Sequence, residues 1–333
     1  DIVWGVSYRL WHDEADSTAY LQLEDEEKTS HLASLFVQDD ISLIPDTLVL
    51  TLGARLEHRT DVNAEFQPNI RLLWTPDERN SVWAAFSRAV RMPARIEAAS
   101  RIVVAQPTAQ TFGLPVIREM SDSLLSETVE AFDFGWRRQW TPHFSTDVAA
   151  FIANYDDLRA SRVAEFTAFP PSSIPILVSN DRQAHSVGLE LSAKWYPSQD
   201  LDFTLNYSWA KTTTSDKREG LIETGIEDSS PTHKLSLQTS YRFSPKWELS
   251  SFLRYVDDIS VSALVTQGEP HDIDGYTELD LKLKHTIGKG DVAISVVGKN
   301  LLNASHQEFS DDIVNTPNLE QERSVYLKLD WRF

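Results

Sequence analysis

The sequence predicts an all-β protein, a transmembrane antiparallel up-and-down β-barrel wall of about fourteen strands. Three observations predict it. Apolar residues recur at every second position, the runs that carry this pattern are long, and tight turns alternate with long connections.

A period of two sends successive side chains to opposite faces of a strand. Thr47–Glu57 sets Leu48, Leu50, Leu52, Ala54 and Leu56 against Val49, Thr51, Gly53, Arg55 and Glu57. Ser186–Trp195, Leu201–Trp209 and Thr277–Leu283 repeat the pattern. The C-terminus sets Val325, Leu327, Leu329, Trp331 and Phe333 against Ser324, Tyr326, Lys328, Asp330 and Arg332. In chain order the runs are 2–12, 31–43, 47–59, 67–75, 80–91, 126–139, 143–156, 184–196, 201–213, 232–243, 246–257, 275–287, 291–302 and 321–333. Each is 9–14 residues long. An ordinary strand has about 5–6 residues, whereas a tilted strand crossing a bilayer needs about 9–11.

The connections carry the next step. Ile44-Pro45-Asp46, Pro76–Arg79, Thr141-Pro142, Pro197–Asp200, Ser244-Pro245 and Gly288-Lys289-Gly290 are tight turns rich in turn-forming residues. The segments 13–30, 92–125, 157–183, 214–231, 258–274 and 303–320 are long, and 60–66 is the short exception. Long and tight alternate without a break in phase, so all long loops should lie at one end. An outer-membrane barrel has that asymmetry.

The apolar face should meet lipid, and the face bearing Arg55, Arg71, Asp133, Arg137, Glu190, Arg254, Glu278 and Asp280 should line a wet or protein-filled lumen. Trp74, Trp140, Trp195, Trp247, Trp331 and Phe333 lie near strand ends, as an interfacial girdle would.

Composition removes other classes. Asp and Glu number 50 against 31 Lys and Arg, a net charge of −19 that repels nucleic acid. Cysteine is absent, which excludes disulfides and thiolate sites. No apolar run reaches about 18 residues, so no helical span is predicted. The nine histidines show no zinc-binding spacing, and no nucleophile elbow or phosphate loop occurs. No catalytic residue, metal site, cofactor or enzymatic activity is predicted. Asp39-Asp40, Asp156-Asp157 and Asp257-Asp258 read as cation or acid–base pairs, or as solvated loop anchors.

Several segments resemble the barrel of TonB-dependent outer-membrane receptors. They include Leu35–Leu43, Thr51–Glu57, Pro68-Asn69, Ser87–Ala94 and Ala153–Leu158. Gly188–Leu191, Pro231–Leu235, Tyr276–Asp280, Gly298–Asn303 and the terminal strand continue the series in order over nearly the whole chain. The resemblance implies a barrel of about 22 strands with a plugged lumen, of which residues 1–333 are the C-terminal portion without the plug. It implies TonB-coupled uptake of a scarce nutrient at the outer membrane of a Gram-negative bacterium, most often a ferric siderophore or similar chelate. The implied partners are the TonB complex through an N-terminal region, the receptor's own plug, the barrel assembly machinery, and lipopolysaccharide with outer-membrane lipid. No cofactor is implied beyond iron in the cargo. The aromatic end, Trp331 and Phe333, resembles an assembly signal.

Arg91, Arg95, Arg101 and Arg118 stand out in an acidic protein. They read as a cationic extracellular rim for an anionic chelate, because guanidinium suits carboxylate recognition. The alternative is pairing with neighbouring acidic loops or lipopolysaccharide phosphates. A passive channel closed from fourteen strands and a loop-displaying structural barrel remain as other readings.

Overall fold

The computed structural model describes residues 1–332 apart from 99, 108–110, 121–123, 166–171, 223–225, 263–269, 289–290 and 311–318. Fourteen long strands carry the architecture. They are β1 (Ile2–Glu14), β2 (Glu27–Ile44), β3 (Leu48–Arg59), β4 (Val62–Asp77), β5 (Asn80–Arg91), β6 (Glu127–Thr141) and β7 (Phe144–Val163). Then follow β8 (Ile174–Ser198), β9 (Leu201–Asp216), β10 (His233–Ser244), β11 (Trp247–Val256), β12 (Tyr276–Ile287), β13 (Val292–Lys299) and β14 (Ser324–Trp331).

Each strand pairs antiparallel with the next in the chain, from β1–β2 through β13–β14. Sequential antiparallel pairing puts alternate connections at opposite ends. The segments 15–26, 92–126, 164–173, 217–232, 257–275 and 300–323 therefore share one end, and 45–47, 78–79, 142–143, 199–200, 245–246 and 288–291 share the other. The tight end is built by local capping. Asp77 accepts hydrogen bonds from the Arg79 backbone N–H at 2.8 Å and from Asn80, and Asp46 turns the chain with a φ of 57°. Among the described residues β1 pairs only with β2, β14 pairs only with β13, and the two are the sheet's edges.

Register decides the faces, because directly opposed residues point the same way. Arg71, Ala85, Asp133 and Phe151 are successive partners across β4–β7. Asp147, Ser192, Asn206, Ser236, Arg254 and Glu278 continue that face from β7 to β12. All eight residues read as lumenal fall on it, Arg55 and Asp280 included. The other face runs Leu52, Ile70, Phe86, Phe132, Ile152 and Val187, and further along Leu283, Val296 and Leu327. These side chains are open to the surroundings of the sheet, Leu327 at 75% exposure. A surface so apolar needs an apolar solvent, while the ladder satisfies the backbone between strands. Within the apolar band Asp39 is the ionisable exception on β2, at 3.3 Å from the amino terminus.

Several strands run further than their apolar alternation. β7 and β8 extend through much of 157–183, paired from Leu158↔Arg182 to Val163↔Ile176. β4 begins at Val62, so the short exception is a two-residue turn closed by Arg59↔Val62. Beyond the band of apolar alternation the surroundings are rim strands and loops instead of lipid on one face, so the alternation fades while backbone pairing continues. Conversely β13 ends at Lys299, because Asn300 turns the chain with a φ of 50°, and β14 begins only at Ser324.

The long loops carry their own structure. Leu21–Leu23 pairs with Ser100–Ala105, which pairs with Val116–Met120, which runs parallel to the outer end of β8. This rim sheet ties the β1–β2 loop to β8. Two of the fully buried side chains, Val178 and Arg182, lie in that outer part of β8, and two more, Ser295 and Asn300, lie on β13 and just after it. Trp331 closes β14, and Phe333 lies outside the described residues.

Candidate functional site: inner wall and outer rim

The inner face of β5–β11 forms an open basin of about 820 Å³ lined by Trp83, Arg137, Glu190, Lys234, Arg254 and Glu308. Its floor is shaped by Trp83, whose indole lies across Gly135 so closely that a Cβ there would meet it at 1.9 Å. The strand register supplies the charges. Arg137 Nε donates to Asp147 at 2.7 Å, and Arg55 donates to Glu57 at 2.7 Å. Arg254 bridges the buried Glu278 and, at 2.7 Å, Glu308, which also receives His306 Nε2 at 3.1 Å. Glu278, His306 and Glu308 each bring a ligand atom within 4.8 Å of the others. Arg254 already sits between the two carboxylates, so this cluster has its cation from the chain itself. Sequence spacing could not reveal it, since β11, β12 and the loop after β13 contribute separately. Among the described residues, Arg71, Asp133 and Glu190 make no ion pair and offer charge to whatever fills the lumen.

Two sequence motifs meet at the edge of this wall. Asn300 N–H donates to Asp280 at 3.0 Å, its Nδ2 donates to the Gln321 carbonyl at 2.8 Å, and Asn303 Nδ2 donates to the Thr277 carbonyl at 2.7 Å. Tyr276–Asp280 and Gly298–Asn303 are thus two halves of one turn support, which gives Asp280 a structural partner on the lumenal face.

The rim arginines are engaged with their neighbours. Arg91 bridges Glu97 at 2.7 Å and Glu127 at 3.0 Å. Arg95 donates to the Asp25 and Glu26 carbonyls, the latter at 3.1 Å, with Asp13 at 3.9 Å. Arg101 pairs with Glu119 at 3.1 Å, and Arg118 sits opposite Ile102 in the rim sheet. Arg159, on the outer end of β7, also contacts Glu97 and reaches Glu127 at 2.9 Å. The result is a charge clamp that joins β5, the short helix α1 (Arg95–Ala98), β6 and β7. The acidic pair Asp156-Asp157 is likewise occupied, holding Lys217 at 2.7 Å from Asp157.

Burial pushes the Glu97 carboxyl up, but the Ala94 N–H, the Arg91 hydrogen bond and the Arg159 charge together hold it below the ordinary carboxylate range. A depressed folded pKa gives stabilisation that is present above the unfolded value and lost as pH falls through the folded one. Acidification below the usual carboxylate range, about pH 4, should therefore free the loop that α1 begins. Glu97→Gln should do the same at neutral pH. Limited proteolysis between β5 and β6 checks both, and equal cleavage rates for wild type and Glu97→Gln would dismiss the clamp.

Comparison with known proteins gives a consistent result. The family described as TonB dependent receptor-like, beta-barrel matches residues 1–301. No curated protein matches by sequence. Among solved structures, the siderophore receptor PirA from Acinetobacter baumannii aligns with a TM-score of 0.75 at 15% identity, over 100% of this chain and 52% of that one. The FrpB iron transporter from Neisseria meningitidis aligns at 0.74 and 17% identity, over 100% and 52%. A ferric enterobactin receptor from Pseudomonas aeruginosa aligns at 0.73 and 14%, over 98% and 50%. At these identities the likeness is one of fold, and the chain spans about half the length of each of these structures.

Proposed function

Because the chain belongs to the TonB-dependent receptor-like β-barrel family, we propose that it is the C-terminal wall of an outer-membrane receptor that imports a ferric siderophore or similar chelate by TonB coupling. Members of this family are transporters and receptors rather than enzymes, and their barrels lie in the outer membrane of Gram-negative bacteria. The observation that carries the proposal is the division of faces: charged residues from β3 to β12 on one side, lipid-suited residues on the other. Arg71, Asp133 and Glu190 then meet the receptor's own plug. Among the described residues β1 and β14 do not pair with each other, which favours this reading over a channel closed from fourteen strands. The full-length receptor should support saturable uptake of labelled ferric chelate that stops when TonB is removed. Uptake that persists without TonB, together with steady ion conductance in planar bilayers, would replace this reading with the passive channel.

The rim arginines are proposed to draw in the anionic chelate, with the acidic partners exchanging for ligand. Arg91→Glu combined with Arg95→Glu in the full-length receptor should weaken chelate binding, most strongly at low salt. Exposed charges are screened over about 8 Å at physiological ionic strength. Equal affinity of wild type and variant across a salt series would leave these residues only their clamp role.

A further inference from the structure

The inner face near the tight-turn end carries a group of lysines on β12 and β14. Lys282 and Lys284 alternate with Leu281 and Leu283 on β12, and Lys328 lies on β14. The ladder sets them in two adjacent rows on the lumenal face. One row is Ser250, Lys282, Val297 and Tyr326, and the next is Glu248, Lys284, Ser295 and Lys328. Neighbouring strands lie about 4.8 Å apart, so the backbones at Lys284 and Lys328 are about 10 Å from each other, with Ser295 between them. Arg254 and Glu278 share this face nearer the loop end.

Two observations single this group out. The first is its charge. The chain has 50 Asp and Glu against 31 Lys and Arg, yet its acids do not neutralise these lysines. Lys328 pairs with Asp330 at 2.8 Å, both of them half-exposed. Among the described residues Lys282 and Lys284 make no ion pair, although Glu248 stands opposite Lys284 in the ladder. Like charges gathered on one face of a sheet repel, so a counter-ion between them is stabilising. The second observation is Ser295. It is fully buried between Lys284 and Lys328, and its hydroxyl has no hydrogen-bond partner among the described residues. Most enclosed hydroxyls have one.

We infer that Lys282, Lys284 and Lys328 form an anion site on the periplasmic half of the inner wall, where a carboxylate-bearing chelate pauses between the rim and the periplasm. The inference rests on the import reading above. An ammonium is a compact charge on a flexible stem, so it follows anions of varied shape instead of fixing one geometry. The guanidinium groups of the rim suit recognition, and these amines suit loose holding. A site along a path must bind well enough to fill and weakly enough to empty. The hydroxyls of Ser250, Ser295 and Tyr326 can donate to the same oxygens. Val297, the aliphatic member of the two rows, is buried, so the patch offers little apolar area to a packed protein segment. A small hydrated anion fits it better.

The test uses the full-length receptor. Lys282→Gln combined with Lys284→Gln should slow uptake of labelled ferric chelate about tenfold, the lower end of the enrichment that a charged cleft gives a counter-ion. Chelate binding at the rim, measured on cells without TonB, should stay unchanged. Lys282→Arg combined with Lys284→Arg keeps the charge and should restore uptake, and heat-modifiability confirms that both variants are folded. In detergent, with the lysines carbon-13-methylated, the signals missing from each Gln variant identify the two amines. Those signals should move on addition of citrate, an iron-free polycarboxylate, and the movement should vanish at high salt. Unchanged uptake in the Gln pair, uptake lost only in proportion to rim binding, slow uptake in the Arg pair, or amine signals indifferent to citrate would each overturn the inference. Uptake that is independent of TonB would overturn the import reading instead, and the citrate response would still decide the anion site.

Discussion

Asp216→Ala should destabilise the outer end of β8 and β9 by about 3 kcal/mol. Arg182 is 2% exposed and donates to Asp216 from Nε at 2.7 Å and from Nη2 at 3.2 Å, with the Ile222 carbonyl at 3.4 Å. Removing the carboxylate takes a close counter-charge away from a buried guanidinium, which costs more than the pair itself contributes. The effect belongs at the lower end of the usual range because Asp216 is 28% exposed and partly hydrated already. Asp216→Asn keeps an acceptor and should cost less. Amide exchange in the full-length receptor checks this: 174–183 and 212–222 should lose protection while the membrane-spanning parts of the same strands keep theirs. Unchanged protection would show that the remaining contacts of Arg182 suffice.

Leu237→Arg should cost about 2–4 kcal/mol, the penalty for a cation near the bilayer midplane of an outer-membrane barrel. Leu237 is on the apolar face between Leu205 and Leu253, midway along β10 from His233 to Tyr241. Leu329→Arg is the contrasting case. It alternates on the same face but stands two residues from Trp331 at the tight-turn end of β14, where an arginine reaches the interface and costs about 0–1 kcal/mol. Urea unfolding of the full-length receptor in vesicles measures both. Equal losses at the two positions would contradict the placement of the membrane along the strands.

The fourteen strands, their alternating faces and the sidedness of the loops are legible in the sequence, because each depends on local chemistry. Period two is set by the pleat, and turn residues act over a few positions. That the eight charged residues share one face can be read for the same reason: a face is inherited along a strand and passed to its neighbour by the ladder. Strand ends beyond the membrane are not legible. Asp156–Val163 and Ile174–Gln183 lie among the rim strands and loops rather than between lipid and lumen, so no simple alternation marks them, although their backbones stay paired.

The rim shows the other limit. Arg91, Arg95 and Arg101 are visible as cations, but Glu97, Glu127 and Arg159, which complete the clamp, come from α1, β6 and β7. The Arg254 cluster likewise draws on β11, β12 and the loop beyond β13. By itself the sequence determined which residues share the charged face and which the apolar face, since alternation is a property of one strand. Only the tertiary structure decided which charges meet. Strand register and loop folding bring distant residues within hydrogen-bonding range, and an ion pair depends on that separation rather than on position in the chain.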